Sequence, residues 1–291
     1  MDFLQQLLID PVALPFMQRA MLAVLLIGVV SGVIGAFVVT RGMAFLGDAL
    51  AHTMLPGVAM AFITSSGSRD AVFIGGLAAG VLSAIGIGLL TKGRRLSEDT
   101  AIGIVFAGAL ALGIGIISTA RNYTTDLSHI LIGNLLAVTN DDLILIAAAG
   151  AVVLGLIAVL YKELLVITFD PTLAQTLRLP AETLRIALLV LLAVTVVICL
   201  QAVGIALVAA MLVTPAATAR LFVRRMHHLM LLGAAIGGIG GVIGLYVTWH
   251  VRIAPSAGIV LTLTGLFLLA FLFAPHKGYV WSLVGRAAQR D

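Results

Sequence analysis

Residues 16–40 read FMQRAMLAVLLIGVVSGVIGAFVVT, an apolar run in which Arg19 is the one charged residue. An α-helix rises ~1.5 Å per residue, so about 20 predominantly apolar residues cross the ~30 Å hydrocarbon core of a bilayer. The run is long enough to cross. Similar runs recur along the chain and are separated by short charged clusters. The sequence therefore predicts an all-α, polytopic membrane protein.

The composition excludes a water-soluble globular enzyme. Of the 291 residues, 61% are hydrophobic and 10% are charged, whereas soluble domains have roughly 45–50% apolar and ~25% charged residues. The excess of 17 Lys and Arg over 13 Asp and Glu is interpreted as charge that sets membrane orientation, and nucleic acid is not expected as a partner. The single cysteine, Cys199, excludes a disulfide framework and any Cys-based metal cluster.

Nine runs are candidate spans, and the expected count is eight or nine. The pair 185–201 and 203–222 could form two short spans with a break at 201–204, or one span and a broken helix. The segment 127–138 is too short to cross and is predicted to be a surface or re-entrant helix. We expect one transmembrane domain over 1–291, without a cleaved targeting segment. The nine runs are 16–40, 43–65, 71–91, 98–119, 141–167, 185–201, 203–222, 229–250 and 256–274.

The basic residues predict the orientation of the spans. If the loop after the first span is cytoplasmic, only Arg19, Arg69, Arg121 and Arg252 lie outside, and the other basic residues lie inside. Cytoplasmic loops carry the excess of Lys and Arg, so this bias predicts nine spans, an outside N-terminus and an inside C-terminus. The inside set is Arg41, Lys92, Arg94, Arg95, Lys162, Arg178, Arg185, Arg220, Arg224, Arg225, Lys277, Arg286 and Arg290.

Small residues recur four positions apart, a spacing that lets helix backbones approach closely in lipid. We expect these pairs to pack helices within the chain, although a dimer interface is an alternative. They are Gly28 and Gly32, Gly76 and Gly80, Gly237 and Gly241, and Gly240 and Gly244.

Two ionisable residues lie inside the second predicted span. Asp48 and His52 are four residues apart, so on a helix they are separated by about 40° and ~6 Å and project to the same side. Pro56, one turn further, should break or bend the helix. The pair could be a structural ion pair, but ionisable groups within a membrane usually mark a transport path. Carboxylate oxygen and imidazole nitrogen suit a divalent ion such as Mn(II), Fe(II) or Zn(II), held transiently.

Other titratable residues are weaker candidates. Asp126 and His129 could receive a metal at the outer side, but a solvated loop pair is the simpler interpretation. Glu98 and Asp99 begin a span, where acidic residues favour the helix dipole. The remaining histidines are assigned to a basic turn, an outer helix end and the C-terminal tail: His227, His228, His250 and His276.

A short loop segment between the fifth and sixth spans is predicted to be helical. Asp170 is a plausible N-cap with Pro171 at the first helical position, and Pro180 ends the segment. Leu173 and Leu177, with Ala174, are expected to form a small apolar face. The helix could lie on the bilayer surface or insert into a groove of a cytoplasmic ATPase, and the residues leave both open.

The chain lacks a phosphate-binding loop of the G-x-x-x-x-G-K-[ST] type, an H-E-x-x-H pair and a G-x-S-x-G turn. No nucleophile–base pair for an intramembrane enzyme is evident, so the chain is expected to be a non-enzymatic transport subunit with no tightly bound cofactor. Energy for uphill transport must come from nucleotide hydrolysis in a partner or from an ion gradient.

Five stretches together resemble the ABC-3 group, the membrane permease subunits of bacterial ATP-binding-cassette importers for manganese, zinc or iron. The first stretch is highly specific, and the order and spacing of the five also match. They are RGMAFLGDALAHTMLPG at 41–57, SEDTAIG at 97–103, GNLLA at 133–137, the segment from Asp170 to Leu179-Pro180, and LVTPAATARL at 212–221.

The resemblance implies a type II ABC importer permease in the bacterial inner membrane, embedded in lipid and paired with a second copy of itself. It implies two ATPase subunits inside and a separate extracytoplasmic metal-binding protein outside. Asp48 and His52 fall on the residues that the family associates with metal passage. The segment with Asp170, Pro171, Leu173, Leu177 and Pro180 falls on the family's coupling helix. The alternative from the residues alone is a proton-coupled secondary transporter of divalent cations, with breaks near Pro56 and Pro215.

Overall fold

The computed structural model describes residues 13–65, 68–94, 96–119 and 135–274, and the regular elements within these ranges are all helical. The predicted all-α class is confirmed. The described residues form twelve α-helices, with short 3-10 turns at Lys92–Arg94 and Leu135–Ala137. The helices are α1 Pro15–Arg41, α2 Leu46–Thr53, α3 Leu55–Thr64, α4 Arg69–Leu90, α5 Glu98–Ser118, α6 Asn140–Val159, α7 Tyr161–Phe169, α8 Pro171–Thr176, α9 Ala181–Val203, α10 Ile205–Phe222, α11 Met226–Val251 and α12 Pro255–Phe273.

Eight helical segments in the described residues are long and apolar enough to cross a membrane. They agree with eight of the predicted spans, and α2 and α3 together form the second. The ninth candidate, α10, has 18 residues, which gives about 27 Å of helix against a hydrocarbon core of ~30 Å. These eight candidates agree with the expected count of eight or nine. The ninth crossing stays a prediction, as does the orientation that depends on it.

Breaks in the helices follow the residues that predicted them, with one exception. Gly204 separates α9 from α10 at φ 80°, which is a conformation that glycine adopts without strain. The second span changes from α2 to α3 at Met54, two residues before Pro56. Pro215 lies inside the continuous helix α10, so the break considered there does not occur.

The chain divides into two compact units. The first comprises the described parts of Met1–Val39, Leu135–Ala147 and Ala210–Asp291, and the second those of Thr40–Asn134 and Ala148–Ala209. Asp48, His52 and the segment 170–180 all belong to the second unit. That the whole chain acts as one permease domain stays a prediction.

Helices of the first unit pack through the predicted small residues. Gly28 of α1 lies against the backbone of Gly237 in α11, and Gly32 lies against Gly233. In α11, Gly244 contacts Ile259 of α12. Lipid offers no hydrophobic drive for helix association, so close backbone approach is what stabilises these crossings. The expected packing within the chain is therefore confirmed for these pairs.

The second unit has its closest helix contact between α3 and α4. A Cβ atom on Gly57 would overlap the carbonyl oxygen of Gly75, and one on Gly75 would overlap that of Gly57. On the other side of α3, a Cβ on Gly113 of α5 would come within 2.8 Å of the Leu55 Cβ atom. These contacts fix the helix that follows the Asp48–His52 segment.

Substitution Gly57→Ala is expected to destabilise the fold, because the added methyl group meets backbone and not a side chain that can move. Overpacking of this kind typically costs about 1–3 kcal/mol. The thermal midpoint of unfolding in detergent measures the effect. Gly86→Ala is the matched control, since a Cβ at Gly86 in α4 would meet nothing within 4 Å. Equal midpoints for the two variants would contradict the assigned packing.

Candidate metal-pathway site

The two ionisable residues of the second span lie at opposite ends of one short helix. Asp48 is in the first turn of α2 and His52 is in its last turn. The Oδ1 atom of Asp48 is 3.9 Å from the Nε2 atom of His52, and their side chains are 38% and 30% exposed. This distance is too long for a hydrogen bond. Both groups project from the same side of α2, as predicted, and that side is partly exposed.

An aromatic side chain packs against the His52 ring. The Phe106 ring of α5 meets His52 edge to face with a centroid distance of 5.7 Å, and it also contacts Phe45 at 5.8 Å. The Nδ1 atom of His52 is buried and has no hydrogen-bond partner among the described residues. Because this atom has no partner, the imidazole is not held by a complete hydrogen-bond network, and leaving a buried polar atom unpaired costs free energy.

Small and apolar residues form the rest of α2. Ala49, Leu50 and Ala51 are buried, and the Thr53 hydroxyl donates a hydrogen bond to the Leu50 carbonyl at 3.0 Å. The buried face of α2 is thereby packed, which leaves Asp48 and His52 as the polar groups of its open face.

The geometry of the pair suits brief contact with a divalent metal ion. Two donor atoms that each lie ~2.0–2.2 Å from one ion are about 2.8–3.6 Å apart at cis-octahedral or tetrahedral angles, so a small rotation of either side chain from the observed 3.9 Å would bring both atoms to one ion. No group of three or more potential ligands occurs in the described part of the chain. Two donors from one chain form an incomplete coordination shell, which fits passage better than storage.

The segment after the fifth span forms the predicted capped helix. The Oδ1 atom of Asp170 accepts hydrogen bonds from the backbone N–H groups of Thr172 at 3.1 Å and Leu173 at 2.9 Å. Pro171 takes the first helical position, where a missing N–H costs nothing. The side chains of Leu173 and Leu177 are 43% and 55% exposed.

One detail of the predicted apolar face is wrong. Ala174 is fully buried, so it anchors α8 to the protein and does not join Leu173 and Leu177. The turn that ends the helix is held by hydrogen bonds to its last residues. The Leu179 N–H donates to the Ala174 carbonyl and the Arg178 N–H to that of Gln175, both at 3.0 Å, with Arg178 at φ 52°. This Schellman arrangement turns the chain towards Pro180, the N-cap of α9.

The cap is expected to hold α8 in place. Asp170→Ala removes an N-cap, which typically costs about 0.5–2 kcal/mol, so the backbone amides of residues 172–176 should exchange faster with deuterium in the intact protein. Asp170→Asn keeps an oxygen acceptor and should exchange nearly as the unsubstituted chain does. If exchange is the same in Asp170→Ala and the unsubstituted chain, the cap does not hold this helix.

The other sequence candidates that fall within the described residues do not form a site. The Asp126–His129 pair, His276 and most of the segment 127–138 lie outside the described residues. His227 and His228 are exposed at the start of α11 with ring centroids 4.1 Å apart, and His250 contacts the Tyr246 carbonyl in its own helix. Cys199 is buried in α9.

Sequence reasoning missed a group of charges. Glu98, interpreted as a helix-dipole residue, pairs with Arg41 at 2.8 Å, and Arg185, interpreted as a topology charge, lies 3.8 Å from the same carboxylate. The pairs join residues far apart in the chain, so no local spacing indicates them. The 97–103 motif contains one signal for this pairing: it has two acidic residues in the first helical turn, where one would be enough to favour the helix dipole.

These helices and this open polar face define a polytopic membrane protein with a candidate cation path. Comparison with known proteins then gives the family: residues 13–274 match the ABC 3 transport family, and the chain belongs to that family. The predicted class, a multi-pass membrane permease of the ATP-binding-cassette type, is confirmed.

Several relatives are similar over nearly their whole length. The manganese transport system membrane protein MntC of Listeria monocytogenes is 43% identical over 267 residues, which cover 92% of this chain and 94% of that protein. The manganese import system permease protein ScaB of Streptococcus gordonii is 40% identical over 265 residues, covering 91% and 94%. The solved structure of PsaBC from Streptococcus pneumoniae in complex with Fab superimposes with a TM-score of 0.80 at 38% identity, covering 94% of this chain and 97% of that one.

Proposed function

We propose that this chain is the permease subunit of an importer that moves a divalent transition metal ion, manganese first among them, into the bacterial cytoplasm. The observation that carries the proposal is the Asp48–His52 pair, which places an oxygen and a nitrogen donor 3.9 Å apart on an open helix face. Relatives named as manganese permeases support manganese over zinc and iron.

The ion passes Asp48 and His52 as a relay and does not rest there. A second copy of the chain would contribute another carboxylate and imidazole around a shared axis, which raises the number of donors from two to four. The partly exposed side chains of the pair support this arrangement. In hydrocarbon, such polar groups persist where they face a path or a partner.

The energy comes from a cytoplasmic ATPase that binds the α8 segment. Leu173 and Leu177 present apolar side chains to the outside of the chain, while the Asp170 cap and buried Ala174 hold the helix. Amphipathic helices that dock in a groove use such apolar anchors. A separate metal-binding protein delivers the ion from the outer side.

Asp48 is expected to be required for transport. In vesicles that contain the whole transporter, Asp48→Asn should lower manganese uptake by about tenfold or more, since even partners of metal ligands contribute 10–100-fold to affinity or activity. Uptake of manganese, zinc and iron with and without ATP is the measurement. Asp70→Asn is the matched control, because Asp70 is also in the first turn of its helix and is exposed.

Two results would overturn this proposal. Unchanged uptake in Asp48→Asn at normal expression would remove the residue from the path. Uptake by the chain alone that needs no ATP and collapses with the proton gradient would make the protein a secondary transporter.

Leu177 is expected to contribute directly to ATPase binding. Burying a leucine contributes about 1.5–3 kcal/mol, so Leu177→Asp should weaken assembly with the ATPase by more than about tenfold. Leu177→Met, which conserves volume and polarity, is the control and should assemble normally. The measurement is the binding affinity between the purified permease and the ATPase. Normal binding by Leu177→Asp would show that the ATPase does not contact the α8 segment through Leu177.

A further inference from the structure

A network of four charged residues joins helix ends in the second unit. Arg41, the last residue of α1, donates from Nη2 to the Oε1 atom of Glu98 at 2.8 Å. Glu98 begins α5 and also lies 3.8 Å from Nη1 of Arg185. Arg185 in turn donates to Glu182 at 2.5 Å. We call these residues, Arg41, Glu98, Arg185 and Glu182, the four-charge network.

Arg185 also binds the end of α4. Its Nη2 atom donates to the Gly88 carbonyl at 2.8 Å, and its Nη1 atom donates to the Thr91 hydroxyl. A guanidinium at a helix C-terminus satisfies carbonyls that have no partner in the helix and is favoured by the helix dipole. One side chain from α9 therefore ties the end of α4 to the beginning of α5.

Three members of the network are shielded from solvent more than surface ion pairs are. The Arg41 and Arg185 side chains are each 12% exposed and Glu98 is 28% exposed, whereas Glu182 is 47% exposed. Exposed pairs contribute little, but removing one partner of a shielded pair leaves the other charge uncompensated, which is strongly unfavourable. The four-charge network is thus a stiff connection between the ends of α1, α4, α5 and α9.

The network adjoins α8. A cavity of about 570 Å³ is lined by Gln175 of α8 together with Arg41, Glu98, Glu182 and Arg185. Four residues separate the last residue of α8 from the first of α9, and the Schellman hydrogen bonds fix that turn. A displacement of α8 would therefore be passed to the first two turns of α9, where Glu182 and Arg185 lie.

The other side of the network leads to the Asp48–His52 pair by two routes. Arg41 is followed by Gly42 at φ 76° and then by α2, which carries the pair. Glu98 begins α5, and two turns further Phe106 of the same helix contacts the His52 ring. Movement of either helix end would change the position of His52.

We propose that Glu98 and Arg185 are positioning residues that transmit the motion of α8 to the Asp48–His52 pair, so that ATP hydrolysis and metal passage stay in step. The proposal rests on the proposed function for both ends of this connection. Neither residue touches the ion or the ATPase. Their loss uncouples the two events without preventing either partner from binding.

The test measures metal ions transported per ATP hydrolysed by the whole transporter in vesicles. Glu98→Gln and Arg185→Gln should each lower this ratio by about 5- to 150-fold, the usual range of coupling between sites, while ATP hydrolysis continues. Because the two residues act as a unit, the double variant should be no worse than the stronger single variant. Asp99→Asn is the matched control: it removes the same charge from the same helix turn, at an exposed position.

Four outcomes would overturn the proposal. The number of ions transported per ATP could be unchanged in both single variants, could fall equally in Asp99→Asn, or could fall additively in the double variant. Parallel loss of transport and ATP hydrolysis is the fourth, since it indicates a structural role. Failure of the proposed function has a different signature: Asp48→Asn would transport normally, or Leu177→Asp would assemble with the ATPase.

Discussion

The unfavourable free energy of charge in hydrocarbon is the constraint on which the rest of this structure depends. It leaves long apolar helices whose backbone groups are satisfied internally, and it moves most ionisable side chains to helix ends. Apolar attraction cannot assemble such helices within lipid, so glycines such as Gly28, Gly57 and Gly237 bring backbones into contact. Charges that gather at helix ends then pair with one another, as Glu98 does with Arg41. Asp48 and His52 differ from these paired charges, because they lie on a partly exposed helix face and lack a complete set of hydrogen-bond partners among the described residues.

The weak ligand set of the site agrees with its proposed task. Manganese binds a given set of donors less tightly than iron or zinc does, so a permease cannot select it by affinity alone. A site that held any of these ions tightly would also release them slowly. Two donors on an eight-residue helix provide contact without capture, and a second copy of the chain would add donors while each remained weak. In the proposed importer, selection between metals would then depend on the geometry of the site and on the protein that delivers the ion.

Sequence predicted what depends on neighbours along the chain and missed what depends on distant residues. The proximity of Asp48 and His52 follows from helical spacing, and the α8 cap follows from Asp170 and Pro171. The Arg41–Glu98 pair bridges 57 residues, and Arg185 meets Thr91 across 94; no periodicity reports such contacts. The prediction for Ala174 is wrong because burial depends on what the helix packs against, which spacing along the chain does not report. Pro215 is compatible with a break, but it lies inside the continuous helix α10.

The tight turn at Arg178 fixes the number of residues that can connect α8 to α9. Residues 177–180 form a non-helical turn that is held by the hydrogen bonds to Ala174 and Gln175. One residue added between Leu177 and Pro180 would disturb this turn and shift the beginning of α9 relative to α8. Arg185 would then move away from Glu98 and from the end of α4. The length of the connection between α8 and α9 therefore matters as much as the residues in it. In a relative with a deletion in this turn, we expect α8 to be connected to the Arg185 contacts in a different way.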